Sequence, residues 1–222
     1  VIRSILITKS KDDKGALYDY CISQNIAILY HSFLTFKQVN ISETTTSDVL
    51  FFSSKRAVDY FLQQTKISEN TTIACIGEST KIHLQTKGIP VHFVGKNAGQ
   101  PEVISQELAA WLGDRTITVV LAKESKKSIL TQLNSSKSSC CIVYETIINS
   151  KIIEQQFDYI VFTSPSNVEG FLKENTISET TKVIAWGETT KRFLMEHQLE
   201  VWKTLKSASE EELIEIVKTT IL

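Results

Sequence analysis

Excess charge of either sign is missing from this sequence. Lys+Arg 24 against Asp+Glu 25 leave a formal charge of −1, so no bulk field selects nucleic acid or a membrane surface. No apolar stretch approaches the roughly 20 residues of a membrane-spanning helix. The opening Val1-Ile-Arg-Ser4 leads straight into a strand pattern rather than a signal peptide. The four cysteines, Cys21, Cys75, Cys140 and Cys141, show no CxxC spacing. The adjacent pair would point to opposite faces of a strand and make a poor disulfide, so a reduced, cytoplasmic protein is expected. His31, His83, His92 and His197 have neither HxxxH nor HExxH spacing, which argues against a zinc site. The GxxxxGK[ST] and GxGxxG phosphate loops and the GxSxG elbow are absent. Trp111, Trp186 and Trp202 sit in helix or strand patterns and read as core rather than base-stacking platforms. No zinc site and no nucleic-acid partner is expected.

What the chain does contain is a copy of itself. Asp48-Val-Leu-Phe-Phe-Ser-Ser-Lys-Arg-Ala-Val-Asp-Tyr-Phe-Leu62 lines up with Asp158-Tyr-Ile-Val-Phe-Thr-Ser-Pro-Ser-Asn-Val-Glu-Gly-Phe-Leu172. Gly77-Glu-Ser-Thr-Lys81 then falls on Gly187-Glu-Thr-Thr-Lys191, and the spacing is 110 residues throughout. Such a period is far too long for a solenoid and indicates two related domains. A second echo, at 114 residues, relates Ser4-Ile-Leu-Ile-Thr-Lys9 to Thr118-Val-Val-Leu-Ala-Lys123, and Tyr30 to Tyr144. One copy therefore runs uninterrupted while the other is split around it.

β-rich runs alternate with helical patterns, the signature of parallel α/β sheets. Strands are predicted near 3–8, 26–30, 48–52, 72–76, 90–94, 117–121, 140–144, 158–162, 182–186 and 199–203. Helical apolar spacing marks 56–64, 79–87, 167–174 and 189–197. Pro101 suits a first helical turn, and Ser209-Glu-Glu-Glu212 is a capping-box pattern. The expected fold is α/β: two similar, flavodoxin-like parallel-sheet domains, one inserted into the other. Residues 1–34 with 148–222 form the outer domain and 38–142 the inner one. The linkers, 31–39 and 143–148, are rich in β-formers and are expected to pair as a two-stranded β hinge.

Ligands of parallel sheets bind where strands feed helices, and the repeated motifs land there. Glycine permits close approach, free amides at helix starts attract anions, and hydroxyls can donate beside them. The candidate binding residues are Ser53, Ser54, Arg56, Gly77, Ser79, Thr80, Lys81, Thr163, Ser164, Ser166, Gly187, Thr189 and Thr190. Lys9, Lys55, Lys123 and Lys191 add positive charge to the same edge. Any one such Ser or Thr is ordinarily just an N-cap; the recurrence of all four loops supports binding of a small polyanion in a cleft between the domains. Tyr144, at the end of the last inner strand, could present a proton-donating hydroxyl there. Its ring could equally pack against the hinge. Tyr30 is expected at the equivalent place on the other connection.

Phe52-Ser-Ser-Lys-Arg-Ala-Val58, Ile76-Gly-Glu-Ser-Thr80, Val143-Tyr-Glu-Thr146, Phe162-Thr-Ser-Pro-Ser166 and Trp186-Gly-Glu-Thr-Thr190, in this order, resemble uroporphyrinogen-III synthases across essentially the whole chain. The resemblance implies two α/β domains joined by a β-ladder. It implies a cofactor-independent lyase that closes linear hydroxymethylbilane, inverts the last pyrrole ring through a spiro intermediate and releases water. Tyr144 matches the family tyrosine proposed to assist departure of the hydroxyl. Thr80, Thr190, Ser54 and Ser164 match its cleft loops, and Lys55 stands where the family often has proline. A monomer is implied, with the linear tetrapyrrole as substrate and the upstream bilane-forming enzyme as candidate partner. A non-catalytic, hinge-closing binder of a small anion is the main rival. Paired receiver domains are disfavoured, because hydroxyls and lysines stand where acidic clusters would be required.

Overall fold

Strands of four residues, buried at every position, need helices on both faces of their sheet, and this chain supplies them. The computed structural model describes residues 4–11, 15–41, 46–96 and 101–221; residues 1–3 of the expected opening strand pattern lie outside these. The chain divides into unit 1, Val1–Thr35 with Ile147–Leu222, and unit 2, Phe36–Thr146. Unit 1 begins with β1 (Ser4–Ile7), α1 (Ala16–Ser23) and β2 (Ala27–Tyr30). After β3 (Leu34–Gln38), unit 2 holds β4 (Val49–Phe52), α2 (Lys55–Leu62), β5 (Thr72–Cys75) and α3 (Glu78–Thr86). It continues with β6 (Phe93–Val94), α4 (Pro101–Leu112), β7 (Ile117–Ala122) and β8 (Ser138–Ile148). Unit 1 then resumes with β9 (Tyr159–Phe162), α5 (Pro165–Leu172), β10 (Lys182–Ala185), α6 (Glu188–Glu196), β11 (Lys203–Thr204) and α7 (Glu210–Ile221).

Both sheets follow one plan. Unit 1 has the order β11-β10-β9-β1-β2, and the second sheet runs β3-β8-β7-β4-β5-β6. Read from β6 to β8, the second order reproduces the first, with every described pair parallel. The register repeats too: Val49 faces Thr72 as Tyr159 faces Lys182. At the edge, β3 lies beside β8. The Val39 N–H donates to the Val143 carbonyl at 2.9 Å and the Asn149 N–H to the Phe33 carbonyl at 2.8 Å. Partner numbers fall as strand numbers rise, so this pair is antiparallel.

Side-chain alternation explains the doubly apolar strands. In unit 1, Ile5, Ile7, Tyr159 and Val161 face α1 and α7, while Leu6, Ile160 and Phe162 face α5 and α6. In unit 2, Leu50 and Phe52 face α2 and α3, and Val49 and Phe51 face α4. Burying each such side chain stabilises the fold by about 1.5–3 kcal/mol.

Several expectations are corrected. The runs 90–94 and 199–203 yield only the two-residue edge strands β6 and β11, whereas β8 extends to 11 residues. Tyr30 is not the counterpart of Tyr144. Ile5 sits opposite Tyr159 as Ile117 sits opposite Val49. Ile5 and Ile117 in turn face Ile28 and Ser138, which brings Tyr30 level with Cys140. The longer β8, with its irregularity opposite Leu121/Ala122, carries Tyr144 further along. Trp202 is 38% exposed rather than core. The capping box is half-formed: the Ser209 hydroxyl accepts the Glu212 N–H at 3.2 Å. The Glu212 carboxylate instead takes the amides of Lys206 and Ser207.

Candidate active site

Within each unit, the loops marked by the repeat leave the carboxyl ends of neighbouring strands. Phe52 ends β4, and Ser53-Ser54 turn the chain into α2. Ser54, at φ −168° and ψ 163°, accepts the Ala57 N–H at 3.0 Å. Ser164, at φ −161° and ψ 157°, accepts the Asn167 N–H at 3.3 Å. Lys55 and Pro165 thus follow caps of the same geometry, and the missing proline leaves the loop unchanged. Both serines are N-caps.

The preceding hydroxyls are tied to backbone. The Ser53 hydroxyl donates to the Val120 carbonyl at 2.9 Å, and the Thr163 hydroxyl to the Thr8 carbonyl at 2.6 Å. With their protons engaged, these two shape the loops more than they offer donors. Unit 1 adds a buried polar network. Thr8 Oγ1 accepts the Thr163 N–H at 2.9 Å, and the Asn167 amide donates to Ser164 Oγ at 3.1 Å while its oxygen accepts the Phe33 N–H at 2.9 Å. Sequence reasoning missed Thr8 and Asn167. The signal was there, since a hydroxyl closes the apolar run Ile5-Leu-Ile-Thr8 and an amide falls three residues after the cap.

One strand over, Gly77 and Gly187 start α3 and α6 with extended backbones, at φ 178° and −173°. Neither needs glycine for its conformation. A Cβ at Gly187 would meet no described heavy atom within 4 Å. Thr80 and Thr190 are only 2% and 4% exposed. Among the described residues nothing hydrogen-bonds to their hydroxyls, yet these oxygens are not among the buried unpartnered atoms. Each hydroxyl oxygen therefore keeps a trace of exposure. Ser79 and Thr189 are exposed beside them, and Ser166 is half-buried.

Tyr144 faces Ala122 at the end of β7, and its hydroxyl lies 3.5 Å from Ser54 Oγ, long for an O–H···O bond. Its ring is core, 7% exposed, stacked on Tyr60 at 5.3 Å and edge-on to Phe36 at 6.0 Å. The ring packs as the blander alternative expects, and the hydroxyl lies beside the Ser54 cap. Arg56 lies with its guanidinium 3.4 Å from the Phe36 ring centre and 5.8 Å from that of Tyr144.

The basic edge is weaker than its lysines suggest. Lys9 pairs with Glu210 at 3.0 Å and lies over Trp186. Lys123 pairs with Glu145 at 3.0 Å, Lys81 with Glu78 at 3.0 Å and Lys191 with Glu188 at 3.5 Å. The hydrogen bond from Lys123 lowers the Glu145 carboxyl below its ordinary value and raises the lysine. Among the described residues only Lys55 and Arg56 of this set have no acidic partner. Burial, then the charges of Lys151 and Lys11, hold His31 below its ordinary value. Burial raises the Cys21 and Cys75 thiols to about 11, and all four cysteines are free. Among the described residues no three His, Cys, Asp or Glu gather as metal ligands, and no helix is long and apolar enough to cross a membrane.

A family model described as uroporphyrinogen-III synthase HemD matches residues 32–215. The uroporphyrinogen-III synthetase of Helicobacter pylori is 22% identical, with 99% of this chain and 100% of that one covered and a TM-score of 0.75. A mutant Thermus thermophilus uroporphyrinogen III synthase is 12% identical, with 99% and 98% covered and a TM-score of 0.64. These two likenesses bear on the fold: two parallel-dominated sheets in an α/β chain.

Proposed function

This chain belongs to the uroporphyrinogen-III synthase family, and on that premise we propose that Tyr144 and the paired loops perform the family's reaction. The function is closure of hydroxymethylbilane to uroporphyrinogen III in haem biosynthesis, the work of a cyclising lyase. The observation that carries the residue assignment is local: the Tyr144 hydroxyl sits 3.5 Å from the Ser54 cap, in the strand-end row that also presents Gly77 and Thr80.

Tyr144 gives its proton to the departing hydroxyl, the C–O bond breaks, and water leaves. The last ring attacks the resulting cation through its substituted carbon to form the spiro intermediate. The older bond at that carbon then breaks, and the released bridge carbon bonds to the unsubstituted α-carbon on the other side of the ring nitrogen, which inverts the ring. Loss of a proton from the ring carbon restores the phenol. Substrate becomes product plus water, so the balance calls for no oxidant, reductant or cofactor. The hydroxyls of Thr80 and Thr190 and the free amides that open α3 and α6 take substrate carboxylates. Arg56 adds charge, and Ser79, Lys81, Ser166 and Thr189 line the rim. Ser54 and Ser164 hold their helices in place, with Ser53, Thr163, Gly77 and Gly187 shaping the approach. The bilane closes readily by itself, so the main contribution is positioning that excludes uninverted closure.

We place the enzyme in the cytoplasm, where free thiols are ordinary. It acts as a monomer, since one chain supplies both loop sets, and receives bilane from the upstream enzyme. Supplied with hydroxymethylbilane, the protein is expected to yield the type III isomer; unchanged bilane, or type I alone, would refute the function. Tyr144→Phe should slow turnover by about 10²–10⁴-fold, the usual worth of a general acid. An undiminished rate would remove Tyr144 from the chemistry and leave the family function standing.

A further inference from the structure

We propose that Tyr60, which the repeat does not mark, is a positioning residue that aims the Tyr144 hydroxyl; this rests on the assignment of Tyr144 above. Tyr60 is one and a half turns into α2, on the face turned toward β3 and β8. Its ring lies against that of Tyr144 at 5.3 Å with 21° between the planes, an offset stack. Its hydroxyl donates to the Phe36 carbonyl on β3 at 3.1 Å. Phe36 in turn meets the Tyr144 ring edge-on at 6.0 Å and carries the Arg56 guanidinium on its own face. One helical turn further, Gln64 donates to the Val39 carbonyl at 3.1 Å and accepts the Ile41 N–H at 2.9 Å. The i, i+4 pair thus fastens α2 to the chain of β3, and Tyr144 is confined between the two.

The other copy supplies the contrast. The residue 110 positions after Tyr60 is Gly170. There a Cβ would come within 2.6 Å of the Phe33 Cβ and 3.0 Å of its carbonyl oxygen, so in unit 1 Phe33 closes this position and leaves no room for a ring. An aromatic platform at this place belongs only to the unit that carries Tyr144. A stacked ring restricts the rotation of its neighbour about the Cα–Cβ bond, and the direction of a phenolic O–H follows from that rotation. Small misplacements of an acid cost far more in rate than in stability.

The test is a mutant cycle on the intact enzyme, read as kcat, KM and the ratio of type III to type I product. Tyr60→Phe keeps the stack and should keep kcat within about twofold, while Tyr60→Leu removes the flat face and should lower kcat about tenfold with KM nearly unchanged. The leucine protein should also release more type I isomer. Placed on Tyr144→Phe, the same substitution should add nothing, because both act through one hydroxyl. Tyr60→Met fills the space without a flat face and serves if the leucine protein does not fold. A normal kcat and isomer ratio in Tyr60→Leu or Tyr60→Met, beside a slow Tyr144→Phe, would overturn the role of Tyr60 alone. Additive losses in the double variant would do the same. An undiminished Tyr144→Phe would remove both assignments together.

Discussion

Gly187→Ala separates an effect on binding from an effect on folding. The backbone at Gly187, φ −173° and ψ 175°, is open to alanine. The added methyl would meet no described heavy atom within 4 Å, so no repacking cost arises. Two small terms remain. Alanine restricts the unfolded chain and stabilises by about 0.4–1 kcal/mol. At an N-cap, however, it is poorer than glycine by up to about 1 kcal/mol. They oppose one another, and the net change should stay within about 1 kcal/mol, or some 2–4 °C in the melting temperature of a chain this size. If a substrate carboxylate approaches the amides that open α6, the methyl stands in its way, and a displacement of about 1 Å is worth roughly 10²-fold in rate. Thermal unfolding and kcat/KM for type III formation would be measured on the same preparation. Gly170→Ala is the control, since its Cβ would press on Phe33 at 2.6 Å; it should lose about 1–3 kcal/mol of stability through overpacking. Wild-type kcat/KM in Gly187→Ala, with an unchanged melting temperature, would show that no substrate group comes near this loop.

Thr80→Val and Thr190→Val remove hydroxyls that hold nothing among the described residues. Both should melt near the wild type and lose about 10-fold in kcat/KM, the worth of one hydrogen bond to a charged group at the low end; equal losses of stability would instead make them structural. Asp59 tests the pH dependence. Burial alone would raise its carboxyl, but Lys87 at 2.9 Å and His83 at 2.8 Å outweigh it and hold the group below the ordinary value. A depressed carboxyl contributes stability above its unfolded value of about 3.9, lost as pH falls through the lower folded value. Asp59→Asn should therefore melt below wild type at pH 7, with the gap closing below about pH 4; a gap independent of pH would refute the pairing.

The α/β class was legible in the chain because strands buried on both faces leave continuous apolar runs such as Tyr159-Ile-Val-Phe162. The loop repeat was legible because the Ser54 and Ser164 caps impose the same local demands twice. Other features depend on partners far away in sequence. Nothing local says that Lys9 meets Glu210, 201 residues on, whereas the i, i+3 pairs Lys81–Glu78 and Lys191–Glu188 could have been read from spacing. The edge strands β6 and β11 are short because Phe93–Val94 and Lys203–Thr204 alone find a neighbour, a fact of pairing that β-propensity does not contain. The false equivalence of Tyr30 and Tyr144 arose from similar local strings on strands of unequal length. A register slip of this kind becomes visible only against the central strand.

The bond between Asn149 and Phe33 has a use for protein engineers. At 2.8 Å, it brings the outgoing and returning peptide within the span of a tight hairpin turn. A gene that skips from one to the other through a few turn residues would encode a minimal half-protein with its own five-stranded sheet intact. Supplying the excised middle as a second polypeptide would then ask how much of the chemistry survives when the covalent tether is gone.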